Sequence, residues 1–306
     1  MPKGKFRVSS AAASYRQHRA APFVAALLGI ALFSIMDGLM KGASLAVGAY
    51  SAMLVRSLVG TVIVAPLWRW RGGTWPDAST MKLHALRGAV SGAMATSFFW
   101  GLVYLPMAEA IALSFIAPLI ALYLAAVLLG EQIGRGAILA SLLGLAGVAV
   151  IAAARMGEQQ PGPMVGWGIA AILFSAVLYA FNLILQRKQA LVSGPIEVAL
   201  FQTVWVGIFL GLASPWLLVW PNAEALSLIV SGAVLAMIAL MLLSWGYGRA
   251  EAQALLPIEY TAFIWAALVG WWMFDEAMTW STVAGAVLIV AGCLIAARKP
   301  TEQTAL

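Results

Sequence analysis

The chain has 306 residues, 63% of them apolar and 10% charged, with a formal net charge of +6 and a single cysteine. Soluble proteins carry about a quarter charged residues, so this much apolar surface calls for the bilayer as solvent. One cysteine, Cys293, inside an apolar run excludes a disulfide framework, and two scattered histidines, His18 and His84, give no cluster for zinc, haem or calcium. No metal and no cofactor is expected.

Residues 1–21 form a basic arm with Lys3, Lys5, Arg7, Arg16 and Arg19, read as a cytoplasmic tail. The apolar run that follows is about 20 residues long, the length of a membrane helix, and lacks an Ala-x-Ala cleavage context. Ten apolar segments then succeed one another: 22–41, 46–68, 83–104, 107–129, 135–154, 164–186, 195–219, 223–247, 251–274 and 279–297. Each is long enough to cross about 30 Å of hydrocarbon. Between them stand Arg71-Gly72-Gly73, Pro161-Gly162-Pro163, Ser193-Gly194-Pro195 and Trp220-Pro221-Asn222, which carry turn chemistry. The spacing predicts an all-α polytopic membrane protein with a cytoplasmic tail at 299–306.

The basic residues set the orientation. With the N-terminus inside, fifteen of the eighteen lie on the cytoplasmic side; Lys41 and Arg155 fall outside and Arg56 lies within a segment. Both termini are then cytoplasmic, and the excess positive charge is a topology signal. Nucleic acid is not expected as a partner. Trp68, Trp70, Trp216, Trp220 and Trp280 fall near segment ends, where interface anchors belong.

The chain repeats itself. Trp100-Gly101, Gly130-Glu131 and Ala146-Gly147 return as Trp245-Gly246, Asp275-Glu276 and Ala291-Gly292, with an offset of 145 for Trp100, Glu131 and Gly147. An Ala-Glu-Ala triplet also recurs, at 108–110 and 250–252, three residues out of that register. The first segments of the halves match as Ala31-Leu32-Phe33-Ser34 against Ile172-Leu173-Phe174-Ser175, with an offset of 141. A unit of five helices is therefore written twice, at 22–155 and 164–298. Five is odd, so the second copy enters the membrane from the opposite face. Ten transmembrane helices form two inverted repeats, an architecture of transporters that alternate access around a midplane site.

These landmarks resemble the drug/metabolite transporter superfamily in its ten-helix EamA-type branch. The residues that carry the resemblance are Arg56, Arg87-Gly88, Ala117-Pro118, Gly130-Glu131, Ala146-Gly147, Glu276 and Gly285 with Ala291-Gly292. Pro257-Ile258-Glu259-Tyr260-Thr261, with Trp265-Ala266-Ala267 and Gly270-Trp271, is more specifically similar to YddG-type exporters of aromatic amino acids. Asp275 stands where the usual pattern has glycine. The resemblance implies a central cavity walled by segments 1–4 and 6–9, with segments 5 and 10 as scaffold.

The chemistry-bearing residues are few. Ser34, Asp37, Gly38 and Lys41 share one helix face, and Asp37 is within a turn of Lys41. A charge inside a span costs about 2.5–3.5 kcal/mol and faces the bundle or water. This pair either lines the site or caps the first segment. Arg56, near the middle of the second segment, is either a structural arginine or a contact for a substrate carboxylate. Gln202 lies 146 positions later. Glu259 follows Pro257, which removes a backbone donor and loosens the helix. It is a candidate proton or ammonium site, or a structural partner of Arg249 or Arg87. Glu109, Glu131, Glu251, Asp275 and Glu276 lie at segment ends and read as helix-dipole partners.

An aromatic and hydroxyl set completes the candidate substrate site: Ser97, Trp100 and Tyr104 in the third segment, Ser114 in the fourth, Ser175, Tyr179 and Asn182 in the sixth, and Ser244 in the eighth. Small-molecule sites are mostly apolar with a few orienting polar groups. Pro118 and Pro257 are the expected hinges. No Gly-x₄-Gly-Lys-Ser/Thr, His-Glu-x₂-His or Gly-x-Ser-x-Gly motif is present, which argues against ATP-driven transport and against an enzyme. The expectation is a secondary or facilitative inner-membrane exporter of aromatic or large neutral amino acids and related metabolites, for which a monomer suffices. The alternative is a proton-coupled exporter of drugs or organic cations.

Overall fold

The computed structural model describes residues 9–117, 119–120, 123–124, 135–157, 162–190, 192–247 and 258–297. Among these the chain is helical, with no strand. The helices are α1 (Ser9–Trp70), α2 (Ala78–Tyr104), α3 (Met107–Ser114), α4 (Arg135–Met156), α5 (Val165–Ala190), α6 (Pro195–Gly211), α7 (Ser214–Leu217), α8 (Ala223–Tyr247), α9 (Ala262–Phe274) and α10 (Trp280–Ala297).

The apolar part of α1, Ala21–Trp70, is 50 residues long, or about 75 Å at 1.5 Å per residue. It covers the first two predicted segments and is two limbs joined at Gly48, whose φ of 79° and ψ of 148° are non-helical. A Cβ there would meet nothing within 4 Å. Conformation alone, not space, demands glycine. Val165–Gln186 and Ala223–Leu243 are also long and apolar enough to cross a membrane.

The other departures from the predicted segments have local causes. The seventh segment stops at Gly211, and the four-residue α7 follows with Pro215 in its first turn. The second limb of α1 supplies hydrogen bonds for the backbone so freed: the Tyr50 hydroxyl donates to Leu210 O, and the Val219 amide donates to Ser51 Oγ at 2.9 Å. In the ninth segment a turn at Tyr260-Thr261 separates helical residues 258–259 from α9. There Phe263 N donates to Tyr260 O and Ile264 N to Thr261 O, the tighter three-residue spacing. The fourth segment breaks in the same way. Ile116 N donates to Leu113 O, and residues 115–116 form a turn.

Exchanging the two halves preserves the packing. The first limb of α1 packs on α8 as α5 packs on α2, and α4 packs on α10. The repeated Trp-Gly landmark marks these crossings. A Cβ on Gly101 would lie 2.8 Å from Gly168 O, and one on Gly246 would lie 2.9 Å from Pro22 O. In both cases a backbone carbonyl occupies the space of the missing side chain, so the helices touch main chain to main chain. Gly147 meets Gly285 in the same manner, at 2.5 Å from its carbonyl oxygen. The halves also share a helix cap. Asp77 Oδ1 accepts from Thr80 N at 3.1 Å, and Asn222 Oδ1, 145 positions on, accepts from Ala225 N at 2.8 Å. Phe115 and Tyr260, again 145 apart, touch edge to face with ring centroids 5.2 Å apart. The two breaks therefore meet each other.

Candidate functional site: polar residues within the bundle

One end of the bundle is closed by a charge. Lys41 is 4% exposed and pairs with Glu276. Its ammonium also donates to Leu105 O at 2.7 Å, while Met107 N donates to Glu276 Oε2 at 2.7 Å. Asp275 makes this possible. Its left-handed backbone, φ 54°, ends α9 and turns Glu276 back against Gly270. Asp adopts that conformation more readily than most residues. Lys41 thus bridges the first limb of α1, the turn between α2 and α3, and the turn after α9. The expected Asp37–Lys41 contact is not formed; Lys41 is taken by Glu276. A second linkage lies at the same end: the Thr282 hydroxyl donates to Glu109 Oε1, and Arg155 Nε lies 3.3 Å from Glu109 Oε2. Glu109 and Glu276, read as helix-end carboxylates, therefore hold the halves together as well.

The other end carries a hydrogen-bonded chain. Arg87, 5% exposed, donates through Nε to Asn182 Oδ1 at 3.2 Å and through its guanidinium to Gln189 Oε1. Gln189 Nε2 donates to His84 Nδ1, and His84 Nε2 lies 3.1 Å from Glu197 Oε1. Ser193 Oγ donates to the same carboxylate oxygen at 2.6 Å. His84 is fully buried and stacks on Phe201, centroids 5.0 Å apart. A buried arginine is tolerated when its donors are used in this way. The sequence offered no sign of this chain, because its members are about 100 residues apart.

Between the ends lie Asp37 and Arg56. Both are half-buried and feel each other's charge, yet no ion pair within 4.0 Å joins them. Arg56 Nη1 has the Met53 thioether at 3.8 Å. Further along, Tyr179 is 43% exposed and lies within electrostatic range of Glu259, an exposed residue beside the α9 break.

The remaining candidate residues divide by what they touch. Ser175 Oγ donates to Met94 O at 2.9 Å, Asn182 accepts from Arg87 and from Ser91 at 3.1 Å, and Ser114 Oγ returns to Ala110 O at 2.8 Å. Their polar atoms serve helix crossings and their own helix. Ser34 is buried on the first limb; Ser97 and Gln202 are half-buried. Trp100 and Tyr104 pack edge to face at 4.9 Å, and the Tyr104 Cβ abuts Gly168 on α5. The Ser244 side chain and both expected hinges, Pro118 and Pro257, lie outside the described residues. A shallow groove beside α9 is lined mostly by apolar side chains, Ile264, Leu268, Trp271 and Met278 among them, with Glu276 at its wall. Glu276 is its one charged lining residue, and that carboxylate is already taken by Lys41 and the Met107 amide.

Comparison with known proteins adds the context. The chain is 24% identical over 277 residues to the pseudopaline exporter CntI of Pseudomonas aeruginosa, covering 89% of this chain and 94% of that one. It is 23% identical over 269 residues to the S-adenosylmethionine uptake transporter of Rickettsia prowazekii, covering 88% and 89%. A crystal structure at 22% identity superposes with a TM-score of 0.61 over 90% of this chain and 96% of that one, which supports the fold. The EamA-like transporter model matches twice, over residues 21–153 and 166–298. Two copies of one family unit, covering nearly the whole chain and meeting across matched glycine crossings, place this protein in the EamA-like transporter family.

Proposed function

We propose that this chain is a secondary or facilitative exporter of amino acids, aromatic or large neutral, and related metabolites, working in the inner membrane by alternating access. The observation that carries the reading is the closure at Lys41. One lysine and one glutamate, 235 positions apart, bind two backbone groups of the turn between α2 and α3. Such a contact joins elements that must separate if this end is to open. With the termini in the cytoplasm, as the basic residues favour, the Lys41 end is the outer end. An outer end held shut, with Tyr179 and Glu259 exposed toward the other end, suits the state in which an exporter loads. The breaks at Phe115 and Tyr260 are where the fourth and ninth segments would bend. The likeness to a named exporter and to a named uptake transporter supports a small-molecule substrate; it leaves direction to the site and the driving gradient.

The test is transport by the purified protein in liposomes. Twenty amino acids and a set of quaternary cations are offered with and without a pH gradient. Saturable movement of aromatic or large neutral amino acids is expected. Movement of the cations alone, driven by the proton gradient, selects the drug-exporter reading and replaces this one.

A further inference from the structure

The two charges in the middle of the bundle differ from every other charge pair described. Lys41, Arg87 and Glu276 all make hydrogen bonds or ion pairs with protein groups. Asp37 and Arg56 pair with no charged or carbonyl group among the described residues. Among the described residues Arg56 reaches only a thioether, and Asp37 has no hydrogen bond. Both are half-buried, and neither has a polar atom enclosed without a partner. A guanidinium has five donors and a carboxylate about four acceptor sites. Leaving both sets unused by the protein within a span is costly unless something else fills them.

The break of α1 at Gly48 explains their placement. Asp37 lies eleven residues before Gly48 and Arg56 eight residues after it. At 1.5 Å per residue they are about 16 Å and about 12 Å from the turn. Lys41, seven residues before Gly48, is about 10 Å from it by the same measure, so Asp37 lies about one helical turn beyond the Lys41 ion pair and Arg56 at about its level. The limbs keep the charges close enough to interact and more than 4.0 Å apart. Packing holds that spacing. A Cβ on Gly38 would press on Val269 and Met273, and one on Gly60 would press on Thr203, so each limb is seated against a helix of the second repeat.

From this we infer that Asp37 and Arg56 together form the receptor for the charged head of an α-amino acid, with Asp37 accepting from its ammonium and Arg56 donating to its carboxylate. The inference rests on the transport reading above and narrows it to zwitterions. An α-amino acid places its two charges on adjoining atoms of one carbon, so one molecule meets both groups at once. The filled site is then neutral overall, with each ion hydrogen-bonded to its opposite. A plain cation attracted to Asp37 meets the guanidinium of Arg56, and a plain anion attracted to Arg56 meets the carboxylate of Asp37. Each repulsion rejects a solute with one charge. The site accordingly disfavours organic cations.

The experiment uses the full chain in liposomes. Radiolabelled uptake is measured across the twenty amino acids, four monocarboxylates and four organic cations. The best-carried amino acid is then challenged with three analogues of itself: its amide, its decarboxylated amine and its desamino acid. Each analogue should compete at least about tenfold less well than the parent, the loss expected of one charged hydrogen-bonded contact. In Arg56→Gln the preference for the amino acid over its amine should vanish while the preference over the desamino acid remains. Asp37→Asn should do the reverse. If Arg56→Gln does not fold, the analogue series on the unaltered protein stands alone. An amine that competes as well as the amino acid overturns the role of Arg56. An equally good desamino acid overturns that of Asp37. Transport of organic cations or monocarboxylates without amino acids overturns the inference and leaves a transporter. Movement of no solute at all overturns the transport reading together with it.

Discussion

The two repeats are alike in their scaffold and unlike in their charges. At one offset of 145 they share the caps Asp77 and Asn222, the crossing glycines Gly101 and Gly246, and the touching rings Phe115 and Tyr260. The charges of α1 have no charged counterpart. At the offset of 141 that aligns the first segments, Asp37 becomes Leu178, Gly38 becomes Tyr179 and Lys41 becomes Asn182, and Arg56 corresponds to Gln202 at 146. Duplication preserved what lets helices touch. The charges of the first segments were written into one copy only. Gly38 lets the first limb close on α9, whereas Tyr179 puts a ring at the matching place and stays 43% exposed.

The largest effect should come from Lys41, which has no charged counterpart in the second copy, and its partner Glu276. Glu276→Gln leaves a buried ammonium without its counter-ion, a loss of about 3–5 kcal/mol. Thermal unfolding in detergent measures it. Lys41→Met with Glu276→Leu removes both charges and should recover most of the loss. A single substitution without effect on Tm would mean that the pair does not hold this end shut.

Next come the matched glycines. Gly101→Ala and Gly246→Ala each push a methyl group against a backbone carbonyl and should cost about 1–3 kcal/mol, by equal amounts within error. Gly166, whose added Cβ meets nothing within 4 Å, is the control: alanine there should be neutral or stabilising by up to about 1 kcal/mol. Unequal losses at 101 and 246 would break the symmetry argued from the crossings.

Removing either ring of the Phe115–Tyr260 pair deletes a contact worth about 0.5–1.5 kcal/mol. The expected readout is a changed transport rate with little change in apparent affinity, and the same for Phe115→Ala as for Tyr260→Ala. A change confined to affinity would place these rings against substrate instead of at a bend.

The smallest effect sharpens the comparison most cleanly. Asp77 is exposed, and hydrogen bonds from Thr80 and Ser79 hold its carboxyl down at about 2. Its folded value is below the unfolded value of about 3.9. The stability from this cap is therefore full above about pH 4 and is lost as pH falls through about 2. Asp77→Ala should give a small drop in Tm that disappears over that window. Asn222→Ala should give a drop that does not depend on pH, because an amide does not titrate.

Much of this molecule is legible from its residues in order. Apolar runs of about 20 residues declare spans, because a bilayer leaves a chain little choice but helix. The repeated Trp-Gly, Glu and Gly-pair landmarks declare two copies, and odd spans per copy make them inverted. Class, repeat and the short menu of buried polar residues can therefore be read from residue order alone. The tertiary structure alone decided partners. Lys41 has Asp37 one turn away in the chain, yet it pairs with Glu276, 235 positions off. Ser175 and Asn182 look like site residues on a helical wheel but bond across to Met94, Arg87 and Ser91. Arg56 and Asp37 stand out only once it is seen that, among the described residues, Arg56 reaches only a thioether and Asp37 has no hydrogen bond. A linear pattern reports which face of a helix a residue occupies. It cannot report which helix lies opposite, since that depends on where glycines let backbones meet, and hence on the packing of the whole bundle.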